Sequence, residues 1–203
     1  VERAAAQRAG LGWIGENTCF FTPKLGSWVF LGEIITDIEI QPDAPMENKC
    51  KSCGRCVRAC PTDALMGPFQ INPYKCLSYI TQMRGVIPEK YIKPLKDRIF
   101  GCDTCQEVCP NNQQVKIPSH KEFIPEFPIE KDSKKLAKLS KADFDKIFKD
   151  TASGWRGRNV IRRNAVCTLG NFENMDLVKL LETFAEDPSE IVRKQARLSL
   201  KNL

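Results

Sequence analysis

Eight of the ten cysteines fall between Cys50 and Cys109, and their spacing limits what this chain can fold into more than any other feature. The first run is Cys50-Lys-Ser-Cys53-Gly-Arg-Cys56-Val-Arg-Ala-Cys60-Pro61, the Cys-x-x-Cys-x-x-Cys-x-x-x-Cys-Pro pattern of bacterial ferredoxins. Three thiolates on a tight loop reach three corners of one 4Fe–4S cubane. The fourth, carried away by a short helix expected to begin there, serves the other cluster. Proline after Cys60 ends the loop without leaving an N–H unpaired. The second run, Cys102-Asp-Thr-Cys105-Gln-Glu-Val-Cys109-Pro110, repeats that ending. Because the halves of two-cluster modules exchange ligands, Cys50, Cys53, Cys56 and Cys109 are assigned to one cluster. Cys60, Cys102 and Cys105 are assigned to the second, with Cys76, the cysteine left between the runs, as its expected fourth ligand. Paired Cys-x-x-Cys also holds zinc, but zinc explains neither the third cysteine at the same spacing nor the two Cys-Pro endings. Cys19 and Cys167 lie outside the pattern and read as ordinary buried thiols.

Residues 1–10 carry no apolar signal core, so thiols at this density argue for metal in a reducing cytoplasm rather than for disulfides. No apolar run approaches the roughly 20 residues that a membrane-spanning helix needs, and no membrane partner is expected. The opening Glu2-Arg3-Ala4-Ala5-Ala6-Gln7-Arg8-Ala9 reads as a helix already under way; with no starting methionine, a fragment of a longer chain is expected.

Composition divides the chain into three segments, giving an α+β fold class. Residues 1–45 hold a helix, a glycine-rich turn and a strand-like stretch from Ser27 to Ile40, closed by a Pro-containing linker. Residues 46–118 hold the cysteine runs and short helices. Residues 119–203 are expected to be helical after a Pro-, Lys- and Glu-rich connection. In this tail Ser140 and Asp143 make a capping box ahead of Phe144, Ile147 and Phe148. Leu177, Leu180, Leu181 and Phe184 form one apolar stripe. Asp187 before Pro188 suits an N-cap, and Ile191, Val192, Ala196 and Leu200 make the buried face of the last helix. Asn159 to Leu169 reads as the second helix of an earlier hairpin, so the tail resembles a helical repeat that must bury its faces on neighbours.

The charge is uneven. Residues 1–130 hold 15 basic and 15 acidic side chains, whereas residues 131–203 hold 16 and 10, so the net charge of +6 sits in the tail. Trp155-Arg156-Gly-Arg158-Asn-Val-Ile-Arg162-Arg163-Asn164 contains four arginines and no acid, a composition suited to phosphate contacts. Arg193, Lys194 and Arg197 extend the expected patch. Gly10-Leu-Gly12-Trp-Ile-Gly15 matches the dinucleotide fingerprint in letters only, because a helix precedes it where a strand should. Those glycines are expected to make a tight turn or a close backbone approach.

Several of these stretches together resemble the epoxyqueuosine reductase family. They are Ala9-Gly10-Leu11-Gly12-Trp13-Ile14-Gly15-Glu16-Asn17-Thr18, Gly26-Ser27-Trp28-Val29-Phe30-Leu31-Gly32-Glu33, Cys76-Leu77-Ser78-Tyr79-Ile80-Thr81 and Arg98-Ile99-Phe100-Gly101-Cys102-Asp103-Thr104-Cys105-Gln106. Arg162-Arg163-Asn164-Ala165 with Leu169-Gly170-Asn171 matches the family's HEAT-like repeat. The resemblance implies that residues 1–45 end an α/β cobalamin-binding catalytic domain, that 46–118 form a two-cluster ferredoxin-like domain, and that 119–203 form a HEAT-like tRNA-binding domain. It also implies reduction of the epoxide of epoxyqueuosine at the tRNA wobble position, with cobalamin and two 4Fe–4S clusters as cofactors. An external low-potential electron donor and a monomeric protein are expected as well. Ser78, Asp103 and Thr104 are the implied cobalamin contacts. The implied catalytic acid, an aspartate, lies before Val1, so this stretch alone is expected to be inactive. The alternatives left open are a two-cluster ferredoxin-type electron carrier and a corrinoid reductive dehalogenase, neither of which needs a polyanion-binding tail.

Overall fold

Short elements carry the cysteine runs and longer helices carry the tail. The computed structural model describes residues 1–115, 120–123, 132–172 and 174–203. In chain order the elements are α1 (Glu2–Arg8), β1 (Trp13–Ile14), β2 (Phe20–Phe21), α2 (Arg55–Ala59), β3 (Leu65–Gly67), β4 (Gln70–Ile71), α3 (Leu77–Gln82), α4 (Ile92–Leu95) and α5 (Thr104–Glu107). The tail follows with α6 (Ser133–Ala137), α7 (Lys141–Ile147), α8 (Arg158–Leu169), α9 (Met175–Phe184) and α10 (Glu190–Leu200). Two compact units result: Val1–Pro73 with Asp103–Phe123, and Tyr74–Cys102 with Ile124–Leu203. This differs from the three segments read from composition, because residues 74–102 group with the tail. The connection expected from Pro118 to Lys135, and the 118/119 boundary, lie mostly outside the described residues.

In the first unit, β1 and β2 pair antiparallel, Trp13 opposite Phe21 and Ile14 opposite Phe20. The Trp13 and Phe21 rings stack with centroids 6.1 Å apart. Glycine is obligatory at position 12, where an added Cβ would lie 1.8 Å from the Phe21 carbonyl oxygen. The Gly10–Gly15 stretch is thus a close-approach turn between α1 and a hairpin, as its context implied. The expected strand from Ser27 to Ile40 does not form. Residues 28–36 and 39–40 have no regular structure, and Phe30 and Ile35 are 89% and 100% exposed. β-branched residues favour a strand only where a neighbouring strand supplies the ladder and the packing.

In the second unit the tail's periodicities hold. Ser140 Oγ accepts the Asp143 N–H at 3.0 Å to start α7, and Leu177, Leu181 and Phe184 of α9 are buried. Phe144, Phe148, Ile161, Ala165, Leu181 and Val192 share one core. Leu77, Ile80, Ile87, Ile92 and Leu95 form a second core that Cys167 completes. The start of α10 differs from expectation: Ser189, not Asp187, is its N-cap. Asp187 is instead drawn to a buried arginine, although its Oδ1 still accepts the Ser189 N–H at 2.9 Å. Among the described residues no helix is long and apolar enough to cross a membrane.

Candidate metal centre and basic face

Cys50, Cys53, Cys56 and Cys109 line a single cavity of about 330 Å³, closed by Glu16, Phe21 and Pro110 among others. The loop reaches this shape because Ser52 and Gly54 take left-handed backbone conformations, with φ of +45° and +66°. That reversal brings the first two thiols round, and α2 then places Cys56 in its opening turn. The turn after β1 holds the loop from the other side. Glu16 N–H points at Cys50 Sγ at 3.4 Å, Glu16 Oε2 accepts the Gly54 N–H at 3.1 Å, and Asn48 Oδ1 accepts the Cys50 N–H at 2.8 Å. All ten cysteines are free of disulfides. Burial pushes the Cys56 thiol up to about 11, with the Glu16 and Cys105 charges adding to the effect. Burial also raises Cys109, reinforced by the nearby Cys50 and Cys53 charges. Thiolates gathered this way repel one another unless a cationic centre sits among them, which then deprotonates them outright. Among the described residues no three His, Cys, Asp or Glu side chains are arranged to hold a metal ion. The four thiols are brought together only as neighbours along the wall of that cavity.

The second set is distributed over both units. Cys60 is not carried away by a helix that begins at it: α2 ends before it, and Cys60 is the extended C-cap. Its Sγ accepts the Ala64 N–H at 3.3 Å. Burial raises Cys60, but the N–H groups of Thr62, Leu65 and Ala64 outweigh burial and hold the thiol below its ordinary value. Cys105 is raised first by its hydrogen bond with Cys19, then by burial and by the Cys19 and Cys60 charges. Cys167 is buried as expected, but Cys19 is not the ordinary buried thiol expected: it is half-buried and hydrogen-bonded to Cys105. Asn17 brings the two together, accepting the Cys19 N–H at 3.2 Å and donating to the Cys105 carbonyl at 3.2 Å. Only a long-range fold-back creates this neighbour, and spacing carries no signal for it. Cys76 is the N-cap of α3, and Cys102 packs on the core containing Leu77 and Ile80.

Of the residues implied for cobalamin, Asp103 is exposed and accepts a hydrogen bond from Gln106 Nε2 at 2.8 Å. Thr104 is half-buried at the start of α5. Ser78 belongs to the other unit, where its carbonyl and hydroxyl both accept from Gln82 Nε2, at 2.8 and 3.4 Å.

Two of the seven basic residues expected at RNA turn inward. Arg162 forms a buried ion pair with Asp187 and donates through Nε to the Ala137 carbonyl at 2.9 Å. Arg163 is fully buried and donates to the carbonyls of Gly85, Thr81 and Met83 at 2.5, 3.2 and 3.2 Å. Neither guanidinium is available to a phosphate, because each is itself buried and already committed to acceptors inside the unit. Arg193 is half-buried and donates to the Asp187 carbonyl. Arg158 is half-buried and donates to the Leu139 carbonyl at 3.3 Å. Arg156 stacks over the exposed Trp155 ring at 3.7 Å. Lys194 pairs with Glu190 at 2.5 Å and Arg197 with Glu186 at 2.9 Å, exposed pairs that are easily exchanged for another anion.

Residues 49–112 match the sequence model of the 4Fe-4S double cluster binding domain. The chain is 42% identical over 202 residues to an epoxyqueuosine reductase of Listeria monocytogenes, covering 98% of this chain and 53% of that one. It is 40% identical over 197 residues to the Bacillus subtilis epoxyqueuosine reductase, covering 96% and 51%. Over nearly its whole length, the chain is thus similar to one half of the epoxyqueuosine reductases. A crystal structure of epoxyqueuosine reductase with an epoxyqueuosine-modified tRNA-Tyr stem loop superposes with a TM-score of 0.92 at 36% identity, covering all of this chain and 54% of that one. The mixed, helix-rich architecture therefore matches that of epoxyqueuosine reductase structures, with a 4Fe-4S double-cluster domain inside it. The chain spans about half the length of the curated relatives it matches.

Proposed function

We propose that this chain is the electron-delivering and RNA-facing part of a reductase that converts the epoxide of epoxyqueuosine, at the tRNA wobble position, to the alkene of queuosine. The observation that carries this reading is the set of four cysteines around one cavity, within a chain that aligns from end to end with epoxyqueuosine reductases. Cys50, Cys53, Cys56 and Cys109 hold one 4Fe–4S cluster, and Cys60, Cys76, Cys102 and Cys105 the second. Such clusters pass electrons singly, which suits delivery to a neighbouring reaction centre.

Cobalamin is the proposed centre. Bound there, it would supply a strongly reducing cobalt for the epoxide carbon. This chain's share of the contact is Asp103, Thr104 and Ser78, whose carboxylate and hydroxyls suit the amide-bearing rim of a corrin. Asp103 and Thr104 stand between Cys102 and Cys105 in sequence, a short path from cluster to cofactor. Residues 1–45 contribute to the cobalamin-binding domain, and the helical repeat of the second unit contributes to the tRNA site. Arg156, Arg158, Lys194 and Arg197 are the basic groups left to meet phosphate, with Arg193 at their edge. A cytoplasmic location follows from a tRNA substrate and reduced thiols.

The test is metal analysis and turnover of the intact protein, purified without oxygen. About eight irons and one cobalt per chain are expected, with loss of the epoxide from a modified stem loop once a low-potential reductant is added. Iron without cobalt, and no turnover, would leave only the electron carrier. Reductive loss of halide with no action on RNA would favour the dehalogenase.

A further inference from the structure

The tail's arginine-rich motif is only partly accounted for by RNA, since its last three residues point into the second unit. Two of the three, Arg163 and Asn164, grip the chain between two expected ligands of the second cluster. From Cys76 the backbone runs through α3 to Thr81, loops away, and returns by way of Ile99 and Gly101 to Cys102. Asn164 Nδ2 donates to the carbonyls of Thr81 and Ile99, both at 2.7 Å, so one amide ties the outgoing and returning segments together. Thr81 Oγ1 closes the same gap by accepting the Gly101 N–H at 3.0 Å, and it reaches the Ser78 carbonyl at 3.0 Å. Arg163 takes the Thr81, Met83 and Gly85 carbonyls at the far end of α3. Thr81 and Asn164 are 0% and 1% exposed.

We propose that Thr81 and Asn164 form a positioning node that fixes Cys76 and Cys102 relative to each other for the second cluster; this rests on the two-cluster assignment above. The chain leaves one ligand and arrives at the other through this point, and Gly101, held by Thr81, is bonded directly to Cys102. A buried N–H or carbonyl deprived of its partner carries its full desolvation penalty, so the network favours one arrangement of the two segments over nearby ones. Outer groups that orient ligands in this way are part of how a metal site is tuned. The chemistry also accounts for an asparagine on α8: one NH₂ group serves two carbonyls, which neither aspartate nor leucine can do. Asn171, two turns on, uses the same device on the Ile92 and Lys96 carbonyls, both at 2.8 Å. It grips α4, away from any ligand, and is the natural control.

The experiment compares Thr81→Val, Thr81→Ser, Asn164→Ala and Asn171→Ala in the intact protein, purified without oxygen. The readouts are iron content, the electron paramagnetic resonance of each reduced cluster, a redox titration and thermal stability. Thr81→Val and Asn164→Ala are expected to shift the second cluster's signal and midpoint, or to lower iron from about eight to about four per chain, with the first cluster unchanged. Thr81→Ser, which keeps the hydroxyl, restores the parent behaviour, and Asn171→Ala lowers stability while leaving both clusters intact. Folded Thr81→Val and Asn164→Ala proteins with two unaltered clusters overturn the node. So does Asn171→Ala matching Asn164→Ala in its effect on the clusters, or the loss of both clusters together in every variant. A parent protein with a single cluster overturns the two-cluster assignment itself, an outcome visible before any variant is made.

Discussion

Arg162 and Asp187 show how far a residue's type can mislead about its place. Their bidentate contact is buried, and the Arg162 guanidinium also lies 6.0 Å from the Phe184 ring centre. Removing one partner of a buried pair strands the other charge. Asp187→Ala is therefore expected to cost about 3–5 kcal/mol in urea denaturation followed by circular dichroism. Burial alone would raise the Asp187 carboxyl, but the Arg162 and Ser189 hydrogen bonds outweigh it and hold the group below its ordinary value. The folded state thus releases this proton more readily than the unfolded state does. Its contribution to stability is complete above the ordinary aspartate value of about 4, and is lost as pH falls from there to the lowered folded value. Denaturation midpoints measured from neutral pH downward should fall in the parent and change less in Asp187→Asn. An unchanged slope in that variant would remove Asp187 from the account.

Among the elements, local chemistry was legible and long-range chemistry was not. Ser140 and Asp143 announced α7 because a cap is written within four residues, and Ser140→Ala should cost about 1 kcal/mol. The stripe on α9 was readable for the same reason, as its period needs no partner to be recognised. Arg162 and Arg163 were misplaced because nothing within α8 tells that carbonyls from residues 81–85 and 137 await their donors. The Ser27–Ile40 stretch failed in the opposite sense: its propensity was read correctly, but a strand depends on a neighbour that local sequence does not supply. Gly12 is a clear case in which a close approach was expected and found. Gly12→Ala would drive a methyl group into the Phe21 carbonyl, disturbing the turn whose Glu16 and Asn17 reach both cysteine runs. Iron content should fall in that variant although no ligand has been touched. Full iron retention would show that the hairpin can give way without moving the turn.

At the scale of the whole molecule, the double-cluster domain was legible in the two cysteine runs because ligand spacing is dictated by the cluster and not by the fold. The role of the excess positive charge was legible only in sign. Of the seven basic residues expected at RNA, five remain once Arg162 and Arg163 are set aside. Neutralising Arg156, Arg158, Lys194 and Arg197 to glutamine in the intact protein should weaken binding of a tRNA stem loop and flatten its dependence on salt. Each phosphate contact removed should take roughly 0.7–0.9 from the slope of log affinity against log salt concentration. Filter binding at several salt concentrations measures this, and an unchanged slope would exclude these four residues from the interface.

The bare stretch after Trp28 also bears on how this polypeptide behaves in a test tube. Phe30, Ile34, Ile35, Ile38 and Ile40 lie open to water, a composition that readily adds onto a like segment of another molecule and propagates into insoluble assemblies. Interleaved among them stand Glu33, Asp37 and Glu39, whose like charges oppose such pairing of identical copies. Replacing those three acids with their amides should turn clear solutions of this polypeptide cloudy, a change that light scattering would read, and solutions that stay clear would remove the acids from this role.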